Sequence, residues 1–465
     1  MTMEMNKRIE RDTLGEVEVS AGAYYGAQTQ RAVENFKVSG LRLQPGFVRT
    51  QAIIKRAAAQ ANADAGWLSK DFSQAIIQAA DEIIAGKFAD QFVVDVFQAG
   101  AGTSQNMNIN EVIANRANEL LEGKIGEYKP IHPNDHVNMS QSTNDTIHAA
   151  IHIAAYTEIQ KRLLPAVEKL EKALRVKAHE FDDVLKTGRT HLQDAVPIRL
   201  GQEFGAYASM MGKSYKRISQ AAESLRELAI GGTAVGTGLN ACPNYKANVT
   251  KYISEATGFK FTATTDMFEA MQSFDSGVEV TGALRVLATG LKKIADDFRL
   301  LASGPRTGLD EIQLPAVQPG SSIMPGKVNP VMAEMLNMVC FQVMGCDTTI
   351  VQAAQAGQLE LNVMMPVIAY NLLMEIEILA GGIESFTERG VAGIKANVET
   401  CRRYAERSPA LATALNPVIG YNKAAEIAKE ALQKDVTVRE LLSSKNIIEK
   451  NKLADLLDIR KMTEG

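Results

Sequence analysis

The middle of the chain carries three long series of apolar residues that recur at alternating steps of three and four positions. Steps of this kind place the apolar side chains on one face of an α-helix. Pro165 falls near the start of the first series and predicts a kink there. The pattern therefore predicts long, coiled-coil-like helices. The three series run over residues 159–185, 204–229 and 280–301.

Helices this long predict a bundle that one subunit does not complete. At about 1.5 Å per residue they reach about 40 Å, more than a compact domain of about 150 residues needs. Aromatic residues make up only 6% of the chain, so Ala, Leu, Ile and Met supply most of the apolar content, which disfavours an all-β fold. We expect a mainly α fold whose central helices form a larger bundle that is completed between subunits.

Changes in periodicity predict three domains. Residues 1–141 mix helical stretches with short alternating ones such as 15–20, which indicates a mixed N-terminal domain. Residues 142–394 hold the long helices of the central bundle domain. Residues 395–465 form a small C-terminal helical domain, in which Thr437 and Glu440 have the spacing of a capping box.

Charge and cysteine content exclude several classes of function. The chain contains 50 Lys and Arg and 54 Asp and Glu. Positive and negative residues are interspersed, so the chain lacks a basic stripe that could bind nucleic acid. No run of 18 apolar residues occurs and the N-terminus is charged, so we expect no membrane span and a cytoplasmic location. The four cysteines are too scattered for a disulfide framework and are expected to be reduced and mostly buried.

Four polar clusters lie where the long helices are connected. The richest, residues 318–330, has two glycines whose backbone N–H groups can face an anion, together with the charge of Lys327. Asn329 and Pro330 look like an N-cap followed by proline at the first helical position. Each cluster taken singly can be a solvated turn or cap, whereas jointly they indicate the walls of one polar pocket. The other three clusters are residues 100–106, 138–145 and 188–194.

Two further patterns are weaker signals. The histidine pairs 132/136 and 148/152 are spaced four apart, but neither has the glutamate of a zinc-binding HExxH motif, so we expect no catalytic metal. Residues 231–238 resemble a phosphate loop but lack its Gly-Lys-Ser/Thr ending. We interpret them as a packed turn.

The segment Gly-Ser-Ser-Ile-Met-Pro-Gly-Lys-Val-Asn at 320–329 resembles the signature loop of the aspartase/fumarase superfamily. The other three polar clusters, residues 24–31 and residues 357–363 are similar to that family's remaining active-site regions, so the resemblance covers essentially the whole chain. It implies a three-domain lyase that acts on a small dicarboxylate, uses no cofactor, and shares its active sites between the subunits of a homotetramer.

The resemblance also implies roles for individual residues. Ser321 is implied as the base that removes the proton from Cβ, with its alkoxide stabilised by loop N–H groups and by Lys327. Glu334 resembles the acidic residue that orients the family's histidine, here His191. The remaining roles concern the substrate's polar groups. They are Thr103, Ser142, Thr143 and Ser322 on the β-carboxylate, Thr190, Lys327 and Asn329 on the α-carboxylate, and Asn144 with His191 at the amino group.

Three segments favour L-aspartate as the substrate, deaminated reversibly to fumarate and ammonia through an aci-carboxylate intermediate. Residues 141–144, 190–197 and 314–319 resemble those of aspartases. Two others depart from that pattern, Met365 and the stretch Thr146-Ile147-His148. The alternative is therefore a class II fumarase, which converts malate to fumarate and water. A catalytically inactive helical scaffold is a remote alternative. It predicts that the site residues are damaged, and none of those named above is damaged.

Overall fold

The computed structural model describes residues 6–464, which form seventeen α-helices and eight short strands. The helices are α1 (Ala27–Asn35), α2 (Pro45–Asp64), α3 (Lys70–Ile84), α4 (Thr103–Leu120), α5 (Thr143–Glu158), α6 (Leu164–Glu180), α7 (Leu200–Ala222), α8 (Tyr245–Thr257), α9 (Met267–Gln272), α10 (Asp275–Leu301), α11 (Val331–Ala354), α12 (Met365–Phe386), α13 (Val398–Arg407), α14 (Asn416–Ile419), α15 (Tyr421–Gln433), α16 (Val438–Lys445) and α17 (Lys450–Leu456).

The strands pair two by two, so no extended sheet forms among the described residues. Three pairs are antiparallel, and the pair of β5 with β6 is parallel. The strands are β1 (Lys7–Asp12), β2 (Gly15–Ser20), β3 (Leu185–Thr190), β4 (Gln193–Arg199), β5 (Glu227–Leu228), β6 (Thr262–Ala263), β7 (Ile312–Gln313) and β8 (Lys395–Ala396).

The mainly helical fold predicted from the apolar spacing is confirmed. The second and third series coincide with α7 and α10, apart from the end of the second, which runs past α7 into β5. The first series was extended too far, because Leu185 lies in β3 rather than in a helix. A π-turn over Ile159–Leu163 immediately precedes Pro165, whose missing N–H and bulky ring interrupt the regular hydrogen-bond ladder.

The chain divides into two compact units. The first contains the described residues of Met1–Leu164, Lys216–Val286 and Phe341–Leu379. One apolar cluster in this unit joins α2, α3 and α4, which pack Ala52, Ile76 and Val112 with no exposed surface. The predicted three-domain division at residues 141 and 394 stays a prediction.

The second unit comprises Pro165–Tyr215, Leu287–Cys340 and the described part of Ala380–Gly465. A row of stacked rings joins Phe204 of α7, Phe298 of α10 and Phe386 of α12, with centroids 5.3 and 5.6 Å apart. These residues lie on the apolar faces that the sequence spacing predicts. A separate apolar cluster runs from Leu411 to Leu457 and packs the C-terminal helices on one another.

The stretch Met365–Val391 is long and apolar enough to cross a membrane by length and composition. Glu375 and Glu377 interrupt it, and 61% of its most apolar window is buried within the described structure. A core helix has these properties. The four cysteines are free and buried, as predicted.

A buried ionic network anchors the β3–β4 hairpin in the second unit. Lys186 Nζ lies 3.0 Å from Glu203 Oε2 and 3.1 Å from Glu311 Oε2, and Arg189 Nη2 lies 2.9 Å from Glu311 Oε1. The side chain of Glu311 is fully buried. Because its two cations are also largely buried, its carboxylate compensates charges that water does not reach.

We expect Glu311→Gln to destabilise the protein by about 3–5 kcal/mol, because it leaves Lys186 and Arg189 buried with less compensating charge. Urea unfolding followed by circular dichroism measures the change. Glu406→Gln is the matched control, since Glu406 pairs with Arg402 on the surface and should change stability by less than about 1 kcal/mol. Equal effects of the two variants would contradict the role of the buried network.

Candidate active site

Four predicted site residues lie at two helix N-termini in the first unit. Thr103 is the exposed first residue of α4, and Ser142 caps α5, whose first turn contains Thr143 and Asn144. The two ends lie close together, because a Cβ on Gly102 would come within 3.1 Å of Ile147 in α5. The structure thus gathers these four residues where helix dipoles favour an anion.

Two hydroxyl groups at the start of α5 have their acceptor side occupied and their hydrogen free. Ser142 Oγ accepts the backbone N–H of Asn144 at 3.2 Å, and Thr143 Oγ1 accepts the amide of Asn106 at 3.1 Å. Neither hydroxyl donates to another described residue. Both hydrogens therefore remain available to a carboxylate, which accepts such bonds strongly.

Asp145 fixes this helix end in place. Its Oδ1 accepts the backbone N–H of Ser142 at 2.9 Å, which completes a capping box. Its Oδ2 accepts the N–H groups of Gly231 at 3.0 Å and Thr233 at 3.1 Å. Burial raises the pKa of Asp145 to about 6. The turn predicted over residues 231–238 is therefore held by a buried carboxylate.

Lys55 of α2 lies beneath the same helix end and is almost fully buried. Its Nζ donates to side-chain oxygens of Asn106 at 2.8 Å, Asn138 at 3.0 Å and Gln141 at 3.0 Å, so all three ammonium hydrogens have acceptors. Burial lowers the pKa of Lys55 to about 7, opposed by the charge of Asp145. Through Asn106, this ammonium group orients the Thr143 hydroxyl.

The side-chain amide of Asn144 is bonded through its nitrogen and free at its oxygen. Its Nδ2 donates to the backbone oxygen of Ala234 at 2.7 Å, and Oδ1 accepts from no described residue. A free carbonyl oxygen at this position suits a ligand that donates hydrogen bonds, such as an ammonium or hydroxyl group.

The other predicted residues belong to the second unit, where Ser321 lies in the loop between β7 and α11. Its Oγ accepts the backbone N–H of Ile323 at 3.2 Å and of Met324 at 2.9 Å. Two backbone donors aimed at one hydroxyl oxygen stabilise negative charge on it. Ser322 and Lys327 are exposed in the same loop, and a groove of about 370 Å³ is lined by Ser321 and Lys327.

Backbone hydrogen bonds close the base of this loop. Gly320 N donates to Lys327 O at 2.8 Å, and Asn329 Nδ2 donates to Gly320 O at 2.6 Å. A side chain at 320 would place its Cβ 2.3 Å from Lys327 O, so only glycine fits there. Asn329 was expected to cap α11, but its amide binds the loop instead and α11 begins at Val331.

Thr190 and His191 lie at the exposed tip of the β3–β4 hairpin. His191 and Leu192 form its two-residue turn with φ of 54° and 60°, the left-handed region that type I′ turns require. In the described chain no hydrogen bond joins His191 to Glu334, which lies in the first turn of α11. The orienting role of Glu334 stays a prediction.

The histidine pair of α5 has a packing role. His152 Nδ1 lies 2.9 Å from Glu227 O and its Nε2 lies 2.9 Å from Ser276 Oγ, while the His148 ring packs against Phe274 at a tilt of 51°. Burial lowers the pKa of both imidazoles. Within residues 6–464, no group of three potential metal ligands was found.

The sequence interpretation missed Lys55 and Asp145. A signal for Lys55 was present, because it lies on the apolar face of α2 between Ala52 and Ala59, and a lysine there needs buried acceptors. Asp145 stands three residues after Ser142, the spacing of a capping box.

Two models of protein families match this chain. A family model described as "Lyase" matches residues 15–345, and one described as "Fumarase C C-terminus" matches residues 411–464. An aspartate ammonia-lyase of Bacillus subtilis is 50% identical over 98% of this chain and 96% of its own length. A class II fumarate hydratase of Halobacterium salinarum is 52% identical over 99% of this chain and 98% of its own length.

The fold is equally close to solved structures. A fumarate lyase:delta crystallin from Brucella melitensis, crystallised with bound cobalt, superposes with a TM-score of 0.95 and 49% identity. The match covers 99% of this chain and 100% of that one. Relatives with two different activities are therefore about equally similar to this chain.

We expect the thermal stability of wild type relative to Lys55→Met to increase as the pH rises from 7 to 9. Lys55 has a folded-state pKa of about 7, below its ordinary 10.5, so the unfolded chain binds the extra proton in this interval. Folding then becomes more favourable by at most about 1.4 kcal/mol per pH unit. Methionine does not titrate, so the Lys55→Met variant lacks this contribution to the pH dependence.

Differential scanning fluorimetry at several pH values measures this difference. Lys251→Met, which alters an exposed lysine of α8, is the control and should follow the wild-type profile. A Lys55→Met profile parallel to wild type would contradict a titrating buried amine.

Proposed function

The chain belongs to the aspartase/fumarase superfamily of lyases, and from this membership we propose that it reversibly deaminates L-aspartate to fumarate and ammonia. The observation that carries the proposal is the pair of backbone N–H groups directed at Ser321 Oγ. The main difficulty of the reaction is to generate a strong base without a strongly basic side chain. These donors meet that need because they stabilise negative charge on the serine oxygen.

Eliminating ammonia from L-aspartate requires removal of a proton from Cβ, next to the β-carboxylate. The electron pair of that C–H bond passes into the carboxylate as an aci-carboxylate dianion. It then forms the C=C bond of fumarate as the Cα–N bond breaks and ammonia leaves. The enzyme therefore needs a base at Cβ and donors for two negatively charged oxygens.

We assign the base to Ser321. A free hydroxyl is hardly ionised near neutral pH, but the Ile323 and Met324 N–H groups stabilise its alkoxide. Lys327 lines the same groove and supplies a positive charge. Closing the loop over substrate excludes water and strengthens both interactions.

We assign the β-carboxylate to the start of α5. The free hydroxyl hydrogens of Ser142 and Thr143 supply donors at the positive end of α5. The Thr103 hydroxyl at the start of α4 supplies a third in place of its long bond to Gly100 O, at 3.5 Å. Ser322 completes this set. These bonds strengthen as the second negative charge develops on the carboxylate, so they act most in the transition state.

The α-carboxylate is assigned to Thr190, Lys327 and Asn329. Asn329 Nδ2 donates one of its two hydrogens to Gly320 O, and the second has no acceptor among the described residues. The free Oδ1 of Asn144 and the imidazole of His191 face the amino group, with Glu334 as the partner that orients His191. An ammonium group suits these two acceptors well.

The sequence segments 141–144, 190–197 and 314–319 support aspartate, as does the similarity to the Bacillus enzyme. Class II fumarase is the second candidate, because the Halobacterium relative is 52% identical and Met365 departs from the aspartase pattern. An acceptor such as Asn144 Oδ1 also suits the hydroxyl of malate.

We further propose a homotetramer with active sites shared between subunits. Val286 of α10, Leu300 of α10 and Met338 of α11 are exposed, Met338 to 64%. Large apolar side chains along the long helices favour association with further copies.

We expect kcat/KM for L-aspartate to exceed that for L-malate by about 10³-fold or more, because a site built for an ammonium group leaves polar atoms unpaired when a hydroxyl replaces it. Fumarate absorbance measures both reactions on one purified sample. Ser321→Ala, assayed in parallel, reports any contaminating lyase. Faster turnover of malate would establish the fumarase alternative.

We expect Ser321→Ala to lower kcat by about 10²–10⁴-fold with little change in KM, because a base acts in the transition state. Ser303→Ala is the matched control. Ser303 Oγ also accepts a loop backbone N–H, from Leu309 at 3.0 Å, but lies outside the site. A loss of only a few-fold in Ser321→Ala would assign the proton transfer to another group.

A further inference from the structure

A second cavity lies within the first unit, away from every residue assigned to the reaction. Its volume is about 430 Å³, which falls in the range of small-molecule sites. The start of α2, the end of α3 with the segment after it, and the middle of α12 form its walls. None of its lining residues belongs to the polar clusters described above.

The floor of the cavity is apolar. Its buried lining residues have at most 9% of their surface exposed, and Tyr370 and Met374 of α12 extend the apolar wall. Methionine adapts its shape to different hydrocarbon groups. This floor therefore suits a hydrophobic body rather than a fully polar ligand. The buried residues are Leu43, Val48, Ile83 and Phe92.

The rim is cationic. Arg42, Arg49 and Lys87 line it, and Glu377 is its only acidic lining residue. Glu377 has its own cation, Arg162, at 4.0 Å, and Lys87 lies 3.5 Å from Glu82. Arg49 has no ion pair or hydrogen bond within residues 6–464. A guanidinium without a partner beside an apolar floor is well placed for an anionic head group.

The α2 N-terminus adds a polar group to this rim. The first turn of α2 has no acidic residue of its own, and Gln44 at the N-cap makes no side-chain cap. The Glu158 carboxylate lies beside this turn, with Oε1 3.3 Å from the position that a Cβ on Gly46 would take, so it offsets part of the positive helix end. Gln44 Nε2 donates to Tyr370 O at 3.0 Å, but its Oε1 is shielded from solvent and has no partner among the described residues. A shielded acceptor of this kind is costly unless a donor reaches it.

We propose that this cavity binds a small amphipathic anion, namely a carboxylate or phosphate on an aromatic or aliphatic body. The body occupies the floor formed by Val48, Phe92 and Met374. The charged group contacts Arg49 and Arg42 at the start of α2. A donor on the ligand, where it has one, satisfies Gln44 Oε1. This site is separate from the reaction, and its occupancy does not depend on which dicarboxylate the enzyme converts.

The probe for the test is 8-anilinonaphthalene-1-sulfonate, which combines an aromatic body with an anionic group and fluoresces in apolar surroundings. We expect saturable binding of one molecule per chain in the full-length protein. Arg49→Gln should weaken binding about tenfold, since it removes one charge-assisted hydrogen bond. Met374→Trp should abolish binding by filling the cavity.

Arg11→Gln is the matched control, because Arg11 of β1 is also exposed and has no partner within the described residues. Its affinity should equal that of wild type. Circular dichroism checks that Met374→Trp folds, and Arg49→Gln provides the test if it does not. Competition with octanoate and with phenylacetate distinguishes an aliphatic from an aromatic body, and displacement by either supports the proposal. Inorganic phosphate alone should displace little.

Three outcomes would overturn the proposal. The first is absence of saturable binding. The second is wild-type affinity in Arg49→Gln together with a folded Met374→Trp that still binds. The third is displacement of the probe by L-aspartate or fumarate, since the probe would then occupy the site of the reaction.

Discussion

The carboxylate of Asp145 is the contact on which the polar cluster at the start of α5 depends. It accepts three backbone N–H groups, one from its own helix end and two from the turn at Gly231 and Thr233. Because the turn and the start of α5 share one acceptor, neither can move without leaving a buried group unpaired. Ser142, Thr143 and Asn144 are therefore presented by a rigid frame. Lys55 supports the same frame from below through amide side chains.

The loop that contains Ser321 is organised on a different principle. Ser321 and Lys327 lie in an open loop whose base is closed by two hydrogen bonds, at Gly320 and Asn329. The donors around Ser321 Oγ come from the main chain of the same loop. A change in loop conformation therefore changes the environment of the serine oxygen directly. In the proposed reaction a rigid hydroxyl cluster and an open serine loop serve different needs, since the substrate has to enter before the proposed base is shielded from water.

Sequence spacing predicted those parts of the fold that depend on local periodicity. The apolar steps of α7 and α10 and the capping box at Thr437 correspond to the structure. The end of the first helix was wrong, because an apolar residue such as Leu185 fits a strand as well as a helix. The environment of Lys55 was not predicted, since its three acceptors come from α4 and from residues 138–141. Contacts between distant segments carry no signature in local spacing.

The turn at His191 and Leu192 lowers the stability of the β3–β4 hairpin. Both residues hold left-handed backbone conformations that glycine or asparagine would adopt more easily, at a cost of about 1–3 kcal/mol each. A designer seeking heat resistance would replace this pair with Asn-Gly and would remove the imidazole in doing so. If His191 has its proposed role, heat resistance and catalysis place opposing demands on these two residues.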